Sequence, residues 1–487
     1  MSAKPIMIQG TMSSAGKSLI TAGLCRVFAQ DGYKVAPFKS QNMALNSFVT
    51  VKGGEMSRAQ VVQAQACKVE PDIRMNPILL KPTSDVGSQV ILNGKSIGNY
   101  SAVDYFKMKK SLIPEIKKAY DDLANENDII VIEGAGSPAE INLKADDIVN
   151  MGIAKLVNSP VLLVGDIDRG GVFAQLYGTI ELLEPAEQEL IKGVIVNKFR
   201  GDREILKDGL QMLENITKKP VIGVCPYIKI DLEDEDSMSE RLNSGKNTKA
   251  IDIAVIKTPH LANFSDFDVF GRFENVSLRY VEKVNELQNP DLIILGGSKS
   301  TIADFKWLQS SGMELAIQKL VDKDAVLFGI CGGYQMLGSR IIDDNNIETG
   351  GSVDAFGYFD MTTRFELEKT TKQDSGTFQN VGGIFSNLNG IEYKGYEIHQ
   401  GKSDVEKVLN EKDNVYGTYM HGVFDADNVA ETILKSLAKR KNITVDFETI
   451  NGAEYKETQF DKLADMIRNS LDMKKVYEIL GIKNKID

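Results

Sequence analysis

Six short apolar runs rich in β-branched residues, IMIQ, KVAPF, DIIVIEG, PVLLVGD, GVIVNKF and PVIGV, recur through the first half of the chain with helical patterns between them. That rhythm leaves little choice of architecture. A strand followed by a helix that carries the chain back to the same edge builds parallel βαβ units, and runs apolar on both faces must be covered on both. Five of the six end in a Gly, Asp, Asn or Lys cluster, at the edge where an open parallel sheet holds its ligand. A second series, IDIAVIKTP, NVSLRYV, PDLIILGGS and AVLFGICGG, follows the polar stretch DLEDEDSMSERLNSGKNTK and passes through a β-rich region to YGTYMHGVFD. The expected organisation is α/β throughout: a first domain over 1–230, a linker over 231–249, a second domain over 250–440 and a helical extension over 441–487. The extension is read from Leu463, Met466, Ile467, Leu471, Val476, Ile479 and Leu480 at helical spacing.

A chain of 487 residues has room for two or three such cores. Its formal charge of -11 provides no excess of cations to neutralise a polyanion, so nucleic acid is not an expected partner. Four scattered cysteines with no C-x-x-C pair argue against zinc sites and disulfides. No run of eighteen apolar residues and no basic-then-apolar leader occurs, so the expectation is a cytoplasmic protein with no membrane partner. Oligomeric state is not legible, and a homo-oligomer is compatible with everything above.

QGTMSSAGKS, residues 9–18, departs by one residue from the common phosphate-binding loop, since five residues rather than four separate Gly10 from Gly16. Its context is nevertheless the required one, a strand before it and the helical pattern LITAGLCRVFAQ after it. Backbone N–H groups around Ala15 and Gly16 would hold the phosphates of ATP, Lys17 would neutralise the β and γ groups, and the Ser18 hydroxyl would ligate Mg²⁺. Glu133, closing DIIVIEG, supplies a carboxylate for the metal, and Asn197, closing GVIVNKF, an amide for the base.

AVLFGICGGYQMLG sets Cys331 between a strand and a helical pattern, with Gly329, Gly332 and Gly333 around it. Small neighbours permit the tight turn that exposes a nucleophile, and a helix N-terminus favours its thiolate. Cys25 and Cys67 lie in helical patterns as core residues, and Cys225 lacks the glycine frame. Of only three histidines, His421 follows the strand-like VYGTYM and is the expected base; His399 is a candidate substrate contact or supporting group, and His260 a loop residue.

The stretched loop, G-T-x-x-x-x-G-K-S, with Thr11 after the first Gly, resembles that of dethiobiotin synthetase and its relatives, which use ATP to activate a carboxylate. Partition-type ATPases of the same superfamily carry a lysine where this chain has Met12. The cysteine elbow, the later histidine and the earlier ILGGS loop resemble a class I glutamine amidotransferase α/β domain. That resemblance implies an oxyanion hole at Gly297 and Gly332; most members have a glutamate two residues after the histidine, where Val423 stands, so what orients His421 stays open.

A P-loop NTPase-like domain joined to a glutaminase lacking that glutamate resembles the cobyrinic acid amidating enzymes. FKSQNMALNS, GGEMSRAQVVQAQA, MNPILLKPTSDVGSQVILNG, NFSDFD and GSKSTIADFKWL point within them to the cobyric acid synthase branch. The resemblance implies amidation of the b, d, e and g carboxylates of adenosylcobyrinic acid a,c-diamide, with ATP, Mg²⁺ and glutamine. It further implies that Lys39 faces the phosphates or the carboxylate, that Glu55 joins Glu133 near the metal, and that Gln41, Asn42 and Asn46 touch the corrin. The alternatives are an a,c-diamide synthase or other polycarboxylate amidase, and a nucleotide-dependent scaffold with an inactive glutaminase domain.

Overall fold

The computed structural model describes residues 3–84, 87–232, 248–404, 407–445, 447, 452–483 and 485. The six runs of the first half pair as one parallel sheet, in the order Val221–Pro226, Ile191–Phe199, Val161–Asp166, Lys4–Gly10, Ile129–Glu133, Val35–Phe38. Every residue of Ile129–Glu133 and Val161–Asp166 is buried, as expected of strands covered on both faces. Lys4–Gly10 lies inside the sheet, where the chain stops adding strands on one side and begins on the other. Its C-terminal end therefore opens into the crevice where ligands of such sheets bind.

The strand rhythm did not reveal an insertion after Val35–Phe38. There Gln41–Met43, Ile78–Ser84, Gly87–Leu92 and Lys95–Ser101 form a small sheet, and Ser47–Val49 pairs with Glu55–Ser57. Lys95–Ser101 is exposed over nearly its whole length, so it carries no apolar period to read.

In the second half, Val276–Val281, Ile251–Ile256, Leu292–Leu295, Val326–Ile330 and Val415–Thr418 are parallel in that order, and Asn410–Lys412 closes the edge antiparallel. The β-rich region is a long hairpin, Thr362–Thr377 with Glu392–Lys402, in its own four-stranded sheet. Of the expected linker, residues 233–247 lie outside the described residues. Among the described residues no helix is long and apolar enough to cross a membrane.

Helices Gly452–Ser470 and Met473–Leu480 return to the first half and cover one face of its sheet, against helix Lys17–Gln30. Arg26, almost fully buried, pairs with Glu457 and Asp461, while Asp31 accepts from Arg468 and Tyr477. Gly23 makes the approach possible: a Cβ there would lie 2.5 Å from Ile467 Cγ1. An alanine inside a helix is ordinarily more stable than glycine by about 0.5–1 kcal/mol. Here the sign should reverse. Gly23→Ala is expected to destabilise the protein by about 1–3 kcal/mol in denaturant unfolding, and adding Ile467→Ala should relieve the overpacking, so that the pair costs less than the sum of the single changes.

Candidate active sites

The first site is assembled at the carboxyl edge of the first sheet. The loop after Gly10 accommodates its additional residue with positive φ at Ser14 and Gly16 (58° and 99°) before helix Lys17–Gln30 begins. Gly16 is dictated by a neighbour as well as by its φ, because a Cβ would fall 2.0 Å from Asn197 Nδ2. Lys17 Nζ reaches back over the loop, donating to Met12 O (2.9 Å) and Gly136 O (3.0 Å). Thr11 Oγ1 donates to Gln175 Oε1 at 3.1 Å.

Glu133 is 1% exposed and collects three donors: Ser18 Oγ (2.8 Å) and Lys39 Nζ (3.0 Å) on Oε1, and Gln63 Nε2 on Oε2. A hydroxyl and a carboxylate oxygen in contact at the lip of a phosphate loop are the hard donors that Mg²⁺ takes, with phosphate and water oxygens completing its shell. Among the described residues no group of three His, Cys, Asp or Glu could hold a metal unaided, so these donors fit a metal that arrives with a nucleotide.

Three expected residues sit elsewhere. Glu55 does not join Glu133: both its oxygens are held by lysines, Lys81 Nζ at 2.8 Å and Lys369 Nζ at 2.5 Å. Burial alone would raise its pKa, but these two cations hold it well below the usual carboxylate range. Asn42 is buried inside its own segment, donating to Ser57 and Gln60. Asn46 accepts from the Phe264 amide at 3.1 Å and so fastens the two halves together. Of the three expected corrin contacts only Gln41 lines an open cavity, where it accepts from Tyr105 OH. Asn197 is buried beneath the phosphate loop and spends its amide N–H on Ala15 O (2.9 Å), an anchoring contact where the sequence suggested a contact with the base. Lys198 assists it, bonding Ser14 O and Asp166.

The second site occupies the corresponding edge of the second sheet. Cys331 joins strand Val326–Ile330 to helix Gly332–Met336 at φ 51°, ψ -107°, a strained conformation for a residue with a Cβ. Packing holds the strain in place, since a Cβ on Gly333 would lie 2.0 Å from Leu295 O. Cys331 and His421 line the same pocket, the thiol donating to Ile398 O at 3.8 Å; His421 is 2% exposed, and its Nδ1 meets Asp266 Oδ2 at 2.7 Å. Asp266 Oδ1 also accepts the Gly422 amide at 3.0 Å, so the carboxylate fixes both ring and backbone. Asp266 is the orienting group that the sequence left open. It lies 155 residues before His421, and its only signal was NFSDFD, a stretch noted for family likeness without a role.

His399 lines the same pocket but is no base for Cys331. Its Nδ1 meets Gly401 O, its Nε2 meets Glu397, and the ring stacks on Tyr419 at 4.0 Å. His260 bonds Asp304, which also accepts from Ser298 and so steadies the ILGGS turn. In that turn Leu261 pairs with Ser298 and Ala262 with Gly297, while Lys299 N donates to His260 O. Antiparallel alternation then directs the Gly297 amide at Ala262 and leaves the Ser298 amide facing the elbow, its N 2.7 Å from where a side chain on Gly332 would begin. The far wall is charged and buried. Burial pushes Lys299 down, pushes Lys369 down to about 7 and pushes Glu348 up to about 7.

Comparison with known proteins agrees with this division. Residues 6–239 match the CobQ/CobB/MinD/ParA nucleotide binding domain, and residues 252–429 the CobB/CobQ-like glutamine amidotransferase domain. Cobyric acid synthases from Lachnoclostridium phytofermentans, Ruminiclostridium cellulolyticum and Clostridium novyi are 56%, 54% and 49% identical to the chain. The alignments cover 98%, 99% and 99% of this chain and 99%, 98% and 98% of those relatives.

Burial alone would lower the pKa of His421; the Asp266 charge and hydrogen bond, with the Cys331 charge, raise it from 6.5 to about 10. A raised folded pKa stabilises the protein fully below the unfolded value, and the contribution is lost as pH climbs through the folded one. Asp266→Asn should therefore lower the unfolding midpoint most below pH 6.5, with the gap to wild type closing as pH rises toward about 10. Glutamine hydrolysis by the same variant is expected to fall about 10²- to 10⁴-fold in kcat, measured by glutamate release.

Proposed function

This chain belongs to the cobyric acid synthase family, and from that membership we propose how its residues carry out glutamine-dependent amidation in cobalamin biosynthesis. The acceptor is adenosylcobyrinic acid a,c-diamide, amidated at its b, d, e and g carboxylates. Each carboxylate oxygen attacks the γ-phosphorus of ATP, ADP departs, and the acyl phosphate has a leaving group that a carboxylate lacks. Ammonia then attacks the acyl carbon, forming the C–N bond and expelling phosphate.

In the first half, Thr11, Ala15, Gly16 and Lys17 cradle the phosphates, Lys39 adds a second cation, and Asn197 holds the loop in shape. Ser18 and Glu133 would hold Mg²⁺, which neutralises phosphoryl charge when bound. In the second half, the Cys331 thiolate attacks the carboxamide carbon of glutamine and His421 delivers the proton with which ammonia leaves. Water then takes the acyl group from sulfur, giving glutamate. The amides of Ser298, in place of the Gly297 amide that the sequence suggested, and of Gly332 form the hole for the tetrahedral oxyanion.

The observation that carries this reading is that one chain holds a phosphate loop backed by Ser18–Glu133 and a Cys331–His421–Asp266 relay, each at the carboxyl edge of its own parallel sheet. The test is a mass-spectrometric time course on cobyrinic acid a,c-diamide with ATP and glutamine. Four successive amide increments are expected, and absence of any increment overturns the reading. Cys331→Ala should reduce glutamine-supported synthesis by at least about 10³-fold while ammonium salts still support it. Lys17→Ala should abolish synthesis from either nitrogen source.

A further inference from the structure

A cavity of about 480 Å³ opens beside the phosphate loop, between the inserted sheet and the segment after Glu133. Its walls are mostly apolar, with Tyr100, Tyr105, Phe106 and Leu143 among them, and Phe106, Leu143 and Met43 are well exposed there. Gly136 belongs to its rim and accepts from Lys17 Nζ, so the cavity adjoins the atoms that would handle the γ-phosphate.

One cation is set into this wall. Lys109 is 7% exposed, and its ammonium lies 3.8 Å from the centre of the Phe106 ring. Among the described residues it makes no hydrogen bond or ion pair. The nearby carboxylates are engaged elsewhere: Asp146 with Lys110, Asp147 with the amides of Val149, Asn150 and Gly152. The cavity's other lysine, Lys144, is paired with Glu184 and Glu187. A largely buried ammonium over a ring face, with Asp146 and Asp147 attracting it only from a distance, is costly, and burial pushes its pKa down. An incoming carboxylate would remove that cost.

Building on the reaction assigned above, we propose that this cavity is the acceptor site, where the aromatic wall takes the apolar face of the corrin and Lys109 binds one peripheral carboxylate while another is presented at Lys17. Apolar contact is non-directional, so the ring can re-seat with a different edge toward the phosphate loop after each amidation. The cation supplies what the wall cannot: a preference for corrins that still carry carboxylates.

The test is equilibrium binding to the full-length protein of two probes, cobyrinic acid a,c-diamide and a corrin with every peripheral carboxylate amidated, with unfolding midpoint and ATP affinity as checks on folding. Lys109→Met should weaken the a,c-diamide about tenfold or more and leave the amidated corrin within about twofold, whereas Lys109→Arg should recover most of the loss. Ser88→Trp, filling the cavity from the inserted sheet, should weaken both probes about tenfold or more. The proposal is overturned if Lys109→Met shifts neither probe or both equally, if Ser88→Trp binds as wild type does, or if ATP competes with the corrin for the cavity. Wild type that amidates no corrin sinks the proposed reaction itself, whereas wild type that amidates normally beside unaffected variants sinks only this assignment.

Discussion

A carboxylate held by one lysine from each half ties the molecule together. Glu55 is 1% exposed between Lys81 of the first half and Lys369 of the second. An unpaired charge so deeply buried would cost several kcal/mol, so separating the halves would expose or strand all three groups. Around it the seam is hydrogen-bonded in detail. Ser47 N donates to Asn263 Oδ1, Tyr396 OH donates to Ser47 O, and Asn46 takes the Phe264 amide. The segment that makes these contacts, residues 46–57, follows directly on the strand that carries Gln41 at the acceptor cavity.

The same seam lies directly behind the glutaminase relay. Tyr396 bonds backbone to backbone with His421 in both directions and stacks on its ring at 5.5 Å, and Asn263 precedes the turn that carries Asp266. The base is thus positioned by residues that touch the synthetase half. A relay in which Nδ1 is fixed by a carboxylate and the facing thiol sits on a strained turn needs its surroundings to be rigid. Here part of that rigidity comes from the other half of the chain. The helices 452–480 supply a comparable tie at the far side, completing the cover of the first sheet from the opposite end of the sequence.

Chemistry that depends on a contiguous stretch was legible. The loop 9–18 and the elbow around Cys331 each need a strand, a turn with small residues and a helix in immediate succession, and that succession is written in consecutive letters. Asp266 was not legible because an orienting carboxylate needs only proximity to its imidazole, and any turn can deliver it. Glu55 was misplaced for the complementary reason. A buried acid in a family motif suggests a metal, and only the packed structure reveals that two lysines, 26 and 314 residues away in sequence, already claim it. Asn42 and Asn46 were read as ligand contacts because amides in a loop look available, and burial gives them partners within the fold.

The sequence by itself determined two parallel-sheet halves, the phosphate loop, the cysteine with its histidine, and the carboxylate at the end of Ile129–Glu133. These follow from periodicity and from residues adjacent in the chain, where local backbone geometry governs. The tertiary structure decided which acid orients His421, where Glu55 and the terminal helices belong, and that Lys109 lies in a mostly apolar wall without a direct hydrogen-bond or ion-pair partner among the described residues. Those outcomes depend on which distant groups exclude water from one another, and burial is a property of the packed molecule that no stretch of sequence carries alone.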